Sequence, residues 1–197
     1  MNAGRIRRAP RRRGAGVLIC LFASLVQATP VRADDFLAPP EPSAYRMEDF
    51  RAPVPATLKG ARVLTTGEAF ALFTAKTAAF VDVLPHAPKP ANLPAGVVWR
   101  DKIRMDIPGS LWLPDVGYGA IAQQTMDYFK RGLEKASGGD LNKPLVFYCL
   151  KDCWMSWNAA RRALEIGYRQ VLWYPDGTDG WEAEGHRTEQ RAPEPRP

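Results

Sequence analysis

The sequence predicts a single α/β domain with a central, mainly parallel sheet flanked by helices. Three observations support this fold class: short apolar runs typical of buried strands, helical segments between them, and glycine or proline at the segment ends. Strands that alternate with helices join through right-handed crossovers into a parallel sheet. With 197 residues, the chain is long enough for one domain with a substantial core and too short for two.

The predicted elements follow one another from residue 65 onwards. Thr65 and Glu68 form a capping box ahead of an apolar stretch, which predicts a helix that runs to Lys76. The apolar run 79–84, ended by Pro85, predicts the first buried strand. The later elements are predicted as a helix at 121–135, a strand at 143–148, a helix at 156–166 and a strand at 170–174.

Composition divides the chain into four segments. We predict a signal peptide at 1–33, a proline-rich leader at 34–60, the α/β domain at 61–183 and a flexible C-terminal tail at 184–197. The leader is expected to be extended rather than packed, although part of it can lie over the domain through Tyr45, Met47 and Phe50. The tail, which is polar and rich in proline from Arg187 onwards, is expected to be loose.

The first 33 residues have the three parts of a secretory signal. They contain seven arginines and no acidic residue, and an apolar stretch at 15–26 follows the basic region. The small residue Ala33 predicts cleavage before Asp34, with Ala28 as the second choice. No apolar run approaches the ~20 residues of a transmembrane helix, so we expect a periplasmic protein with no membrane span after cleavage.

Removal of this segment changes both the charge and the cysteine count. The whole chain has a formal net charge of +6, from 27 basic and 21 acidic residues. Without the seven arginines of the signal, 20 basic residues face 21 acidic ones and the net charge is −1. We therefore expect no binding to nucleic acid. Cys20 leaves with the signal, and the mature chain keeps Cys149 and Cys153.

The most informative segment begins where the strand at 143–148 ends. Cys149 follows this strand directly, and a short loop leads from it into a helix. Ligands of open α/β sheets bind outside the carboxyl ends of the strands, and a helix N-terminus stabilises an anion. We therefore expect the pKa of Cys149 to lie below its usual ~8.5. The alternative is a buried structural cysteine. The predicted anion or persulfide loop comprises Leu150, Lys151, Asp152, Trp154 and Met155.

The spacing of the two cysteines allows several chemistries. Cysteines four residues apart can meet across a tight loop, with Cys149 as the attacking thiol and Cys153 as the resolving one. The same sulfurs can bind Cu(I) with Met155 or His186 as a third ligand, although no metal site is firmly assigned. Zinc is not expected, because the mature chain offers only two histidines without ligand spacing.

Several other conspicuous residues are predicted to be structural. The tryptophans at 154, 157, 173 and 181 are expected in the core, and the Asp-Gly-rich segment 176–180 is expected to form turns rather than a calcium site. Arg161 and Arg162 are expected on a solvated helix face, and His86 and His186 are expected to be ordinary surface residues.

Four short motifs together resemble the rhodanese-like superfamily over roughly residues 61–183. They are Val81-Asp-Val83, Ile107-Pro-Gly-Ser110, Phe147-Tyr-Cys149 with the following helix, and the glycine-rich segment that ends at Trp181. The resemblance implies a rhodanese-like fold, a supporting role for Asp82 and, as one possible activity, thiosulfate sulfurtransferase-like chemistry with a persulfide on Cys149. Family members place glycine and arginine in the active loop, whereas Asp152, Cys153 and Trp154 occupy it here.

A narrower resemblance rests on Cys153-Trp154, the Ser-Trp-Asn-Ala-Ala run at 156–160 and the segment 173–181. These are similar to exported proteins called PQQ-dependent catabolism-associated CXXCW motif proteins, although the cysteines here are separated by three residues. The resemblance implies a role in alcohol or methanol oxidation beside a quinoprotein dehydrogenase or its cytochrome c system. Three hypotheses follow: a thiol-redox or sulfur carrier, a Cu(I) or cofactor accessory factor, and a non-catalytic partner with a structural disulfide.

Overall fold

A computed structural model describes Met1 and residues 38–196. The predicted signal peptide and the beginning of the predicted leader therefore lie outside the described residues. The described elements are β1 (Arg62–Val63), α1 (Thr66–Ala75), β2 (Ala79–Asp82), β3 (Arg104–Asp106), β4 (Leu111–Trp112), α2 (Gln123–Ser137), β5 (Leu145–Tyr148), α3 (Trp154–Glu165), β6 (Val171–Trp173), α4 (Gly177–Ala183) and β7 (Glu189–Arg191).

The centre of the fold is a five-stranded parallel sheet in the order β1-β6-β5-β2-β4. Strand β5 lies in the middle, where Phe147 is opposite Val81 of β2 on one side and Trp173 of β6 on the other. All four residues of β5 are buried, as expected for an apolar strand that is covered on both faces. The predicted α/β class with a mainly parallel central sheet is confirmed.

Alternate strand residues supply the two halves of the core. Phe147 and Val81 pack with helices α2 and α3 on one face, whereas Val146 and Tyr148 pack with α1 and α4 on the other. The four tryptophans named above are at most 3% exposed, so their prediction as core residues is confirmed. Cys149 belongs to the half of the core that contains α3.

The start of α1 follows its sequence prediction. Glu68 N–H donates to the Thr65 hydroxyl at 3.2 Å, and Thr65 N–H donates to the Glu68 carboxylate at 2.9 Å. These two bonds satisfy backbone donors that the first helical turn would otherwise leave unpaired. Lys76 ends the helix in the left-handed conformation.

The C-terminal tail contradicts its prediction as a loose segment. Residues 189–191 form β7 and pair antiparallel with β3. Glu194 makes three further bonds: its N–H donates to the Trp112 carbonyl, its carbonyl accepts from the Tyr128 hydroxyl, and its side chain accepts from Lys135. Backbone pairing and ion pairs, rather than burial of apolar side chains, hold the tail. The tail therefore has no apolar alternation from which its strand could be predicted.

Arg162 also contradicts its prediction, since it is only 2% exposed rather than on a solvated face. Its guanidinium donates to the carbonyls of Val116, Tyr118 and Gly119. The loop before α2 thus gains a buried cation that satisfies three unpaired backbone acceptors. Arg161, its neighbour, keeps partial exposure and donates to carbonyls of the leader.

Within residues 38–196, no helix is long and apolar enough to cross a bilayer.

Candidate functional site

The two cysteines flank the turn between β5 and α3. Cys149 follows the last residue of β5, and Cys153 is the N-cap of α3 in an extended conformation. Asp152 closes the turn with φ at 52°, a left-handed conformation that aspartate tolerates better than most residues. The turn is therefore short enough for the two side chains to meet.

Both sulfurs lie in the protein interior as free thiols. Cys149 is fully buried and Cys153 is 2% exposed. The Cys149 Sγ lies 3.5 Å from the Cys153 carbonyl oxygen and 3.7 Å from the Leu150 carbonyl oxygen. The dithiol is thus preassembled, and access to it needs a movement of the surrounding chain.

The pKa values of the two thiols are shifted in opposite directions. The hydrogen bond from Cys149, together with N–H donors at Met155 and Leu150 and the Arg51 cation, lowers the pKa of Cys153 to about 7 against the effect of burial. Burial first, and then the Cys153 sulfur, raises the pKa of Cys149 well above its ordinary value. The predicted low pKa at Cys149 is therefore wrong, because full burial of the thiol disfavours its thiolate.

The backbone of Cys149 is fixed from the side of α4. Its carbonyl accepts from Thr178 N–H at 3.0 Å, from the Thr178 hydroxyl at 3.4 Å and from Arg104 Nη2 at 3.4 Å. Gly177, with φ at 53°, passes so close that an added Cβ would lie 2.4 Å from the same carbonyl oxygen. The end of β5 is thus held at a fixed position under the loop.

A buried charge cluster stands behind this carbonyl. Arg104 Nε lies 2.5 Å from Asp82 Oδ2 and 2.8 Å from Asp106 Oδ1, and both carboxylates are fully buried. The Asp106 oxygens make no hydrogen bond of good geometry despite the short ion-pair distance. Burial, followed by the neighbouring Asp82, raises the pKa of Asp106 to about 9. The Asp106 carboxyl therefore keeps its proton at neutral pH.

Asp82 therefore lies near the site: it accepts from Arg104, which donates to the Cys149 carbonyl, and its carboxylate also contributes to the raised pKa of the Cys149 thiol. Arg104 was not among the residues identified from the sequence, although a buried aspartate at a strand end requires a cationic partner. Thr178 and Gly177 were missed for a simpler reason: their role depends on where α4 begins.

The predicted loop residues have different environments. Lys151 is exposed, and its N–H donates to Asp179 Oδ2 at 3.0 Å. Trp154 and Met155 are 3% exposed and belong to the core, whereas Leu150 and Asp152 are half-buried. Of this set, Leu150 and Met155 act on the dithiol through their backbones, which help to lower the pKa of Cys153.

The described residues contain no cluster of three or more His, Cys, Asp or Glu side chains that could hold a metal ion. His186 stacks on Phe70 with ring centroids 3.9 Å apart and also packs on Trp181. It therefore does not join the two cysteines as a third ligand. His86 packs on Trp112.

Residues 99–184 match the Rhodanese-like domain family. With the five-stranded parallel sheet, this match identifies the fold as rhodanese-like α/β, and the fold and dithiol together support a sulfur-transfer or thiol-related role. No curated protein matches the chain.

Two solved structures are similar at low identity. One is the solution structure of a polysulfide-sulfur transferase homodimer from Wolinella succinogenes, with 17% identity, a TM-score of 0.41, and coverage of 68% of this chain and 81% of that chain. The other is an uncharacterized protein from Saccharomyces cerevisiae, with 20% identity, a TM-score of 0.38, and coverage of 64% and 93%.

Proposed function

We propose that the protein is an exported thiol–disulfide exchange protein in which Cys153 is the nucleophile and Cys149 the resolving thiol. The observation that carries the proposal is the pairing of two free thiols across one turn: Cys149 Sγ lies 3.5 Å from the Cys153 carbonyl oxygen, and Cys153 is the N-cap of α3. A pKa of about 7 at Cys153 gives a thiolate at neutral pH while its partner stays protonated. This assignment reverses the order of attack expected from the sequence.

The reaction needs two displacements. The Cys153 thiolate attacks one sulfur of a partner's disulfide, the S–S bond breaks, and the second partner sulfur leaves as a thiolate. That thiolate takes the proton of Cys149. The new Cys149 thiolate then attacks Cys153 Sγ and releases the other partner sulfur as a thiolate. Two electrons pass from the dithiol to the partner, whose disulfide is reduced.

A second candidate, sulfur transfer, is favoured by the match to the Rhodanese-like domain family. The Cys153 thiolate would accept the outer sulfur of thiosulfate, with sulfite as the leaving group, and form a persulfide. The loop composition disfavours an anionic donor, because Asp152 stands in the turn and Lys151 is the only basic residue between the cysteines. We therefore place disulfide exchange first.

The export signal and the narrower sequence resemblance extend the proposal to a cellular role. An oxidising compartment allows a dithiol to cycle through its disulfide. The resemblance to PQQ-dependent catabolism-associated proteins suggests a quinoprotein dehydrogenase or its cytochrome c system as the partner. A Cu(I) accessory role remains the alternative use of the same two sulfurs.

Trapping by mass spectrometry tests the assignment. Cys149→Ser, incubated with glutathione disulfide, should accumulate a mixed disulfide on Cys153, because the resolving thiol is gone. Cys153→Ser should form at least about tenfold less adduct at pH 7, since the high pKa of Cys149 keeps its thiol protonated.

The opposite pattern, with adduct only in Cys153→Ser, would restore Cys149 as the attacking thiol. Incubation with thiosulfate in place of glutathione disulfide reports the second candidate as the mass of one added sulfur atom. Stoichiometric Cu(I) uptake that both single variants lose would instead identify the accessory factor.

A further inference from the structure

Residues 41–57 run along α3 as an extended segment, which we call the strap. No helix or strand of the described elements includes any part of the strap, and it makes one isolated antiparallel bridge, Arg51 to Cys153. The strap was expected to be unpacked apart from Tyr45, Met47 and Phe50. Tyr45 and Phe50 contact the domain, and the Met47 sulfur lies against Gly119 although the residue remains 61% exposed.

The side chains of α3 contact the main chain of the strap. Trp154 Nε1 donates to the Pro53 carbonyl at 3.2 Å, and Trp157 Nε1 donates to the Thr57 carbonyl at 3.2 Å. Asn158 both donates to the Arg46 carbonyl and accepts from the Arg46 N–H. Contacts of this kind select an extended backbone rather than particular side chains.

The composition of the strap fits these donors. Indole N–H groups in aromatic-lined grooves bind the carbonyls of proline-containing extended segments, which lose little conformational entropy on binding. The strap carries prolines at 42, 53 and 55, and the Pro42 carbonyl also accepts from Arg161. The face of α3 is thus built as a groove for an extended, proline-containing polypeptide.

The same segment covers the dithiol. Trp154 N–H, the first amide after Cys153, donates to the Phe50 carbonyl at 2.9 Å, next to the Arg51–Cys153 bridge. Because Cys153 is 2% exposed, a disulfide reaches its sulfur only in the fraction of molecules whose strap has opened.

The strap is attached in a way that allows its displacement. Its residues 47–49 are exposed, and Asp49 adopts a left-handed conformation with φ at 47°. Beyond its C-terminal end, Leu58 is buried in the core and provides an anchor. Phe50, Ala52 and Val54 pack against the core and Pro55 is buried, so displacement of the strap breaks these contacts, whereas the exposed residues 47–49 are where it can begin to open.

We propose that the strap is an intramolecular occupant of this groove, and that an extended, proline-containing segment of the partner displaces it to reach Cys153. The proposal rests on the proposed function, because the partner is the protein whose disulfide is exchanged. The α3 face then recognises the polypeptide around that disulfide, and the strap lowers the reactivity of the dithiol in its absence.

Labelling of the reduced full-length protein with N-ethylmaleimide tests the cover. Phe50→Gly removes the edge-to-face contact between Phe50 and Tyr118 and should raise the labelling rate of Cys153 at least about tenfold, since a larger fraction of molecules is open. Val98→Gly is the matched control, because Val98 is 80% exposed and lies far from the strap in the sequence. Cys153 in this variant should be labelled at the wild-type rate.

Hydrogen exchange of the β5 amides distinguishes strap opening from unfolding. These amides should exchange equally slowly in Phe50→Gly and in the wild type. If Phe50→Gly fails to fold, as rapid β5 exchange would show, the milder Phe50→Ala replaces it in the same measurement. If neither folded variant is labelled faster than the wild type, the proposal that the strap covers Cys153 is overturned.

A synthetic peptide of residues 41–57 tests the groove in trans. At about 1 mM, within the range of effective concentrations that a short tether provides, it should return labelling of the Phe50→Gly variant to within about threefold of the wild-type rate. A scrambled peptide should have no effect. If the authentic peptide does not slow labelling, the proposal that the α3 face binds an extended, proline-containing segment is overturned. Maleimide labelling needs no disulfide exchange, so the outcome is independent of the trapping experiment.

Discussion

At the scale of single residues, the dithiol shows how hydrogen bonding outweighs burial at one sulfur and not at the other. Cys153 is almost as buried as Cys149, yet its pKa falls to about 7 because four groups stabilise its thiolate. Burial has the largest effect on Cys149, and the one hydrogen bond that favours its thiolate, from Ser156, does not offset it. The difference between the two thiols is therefore made locally, within one turn.

Replacement of Cys149 by alanine tests this origin. The pKa of Cys153 should rise from about 7 toward its ordinary value of ~8.5, because its strongest donor is lost. The labelling rate of Cys153 at pH 7, normalised to the rate at high pH, should then fall roughly tenfold. Cys149→Ser retains an O–H donor and should keep the pKa near the wild-type value. An equal change in both variants would show that the donor is not the cause.

Asp106 gives a second prediction at this scale, based on the sign of its titration. Its pKa is about 9 in the folded protein and about 3.9 in an unfolded chain, so the unfolded state binds fewer protons between these values. The free energy of unfolding should therefore decrease as the pH rises. Asp106→Asn cannot titrate and should lack this slope. Relative to the variant, we expect the wild type to lose roughly 1–2 kcal/mol between about pH 5 and 6.5.

Urea unfolding at the two pH values measures the difference. This pH window lies below the pKa of Cys153, whose titration has the opposite effect on stability. Equal slopes for Asp106→Asn and the wild type would show that Asp106 is ionised in the folded protein.

At the scale of elements, α4 fixes the position of the cysteine strand. Gly177 begins this helix and lies against the Cys149 carbonyl, which leaves no room for a side chain. The following residue, Thr178, donates twice to the same oxygen. A short helix that carries no reactive group thus determines where the dithiol loop starts.

Two glycine-to-alanine substitutions separate backbone strain from crowding. Gly177→Ala combines a positive φ with a Cβ contact of 2.4 Å and should lower the free energy of unfolding by about 2–4 kcal/mol. Gly185→Ala also has a positive φ, 78°, but has no atom within 4 Å of the added Cβ. It should cost only about 1 kcal/mol. Equal losses in urea unfolding would mean that the contact with Cys149 contributes nothing.

At the scale of the whole molecule, the sequence predicts what depends on local patterns. The capping box at Thr65 and the apolar strand before Cys149 identify their elements because one short segment determines each. Strands β3 and β7 were not predicted, because they pair residues about 85 positions apart and lack apolar alternation. The Cys149–Cys153 loop was found from the sequence, whereas the direction of its pKa difference and the role of Arg104 depend on contacts made only after folding.

The final prediction concerns the chain as an exported molecule. Expressed with its native N-terminus, the protein should be recovered from the periplasm with an intact mass that begins at Asp34, because cleavage after Ala33 removes the basic segment. Its net charge then falls from +6 to −1, so it should not bind a cation exchanger at pH 7. Ala33→Leu places a bulky residue before the cleavage site and should shift cleavage to Ala28 or block it. An uncleaved protein confined to the cytoplasm would contradict the predicted export.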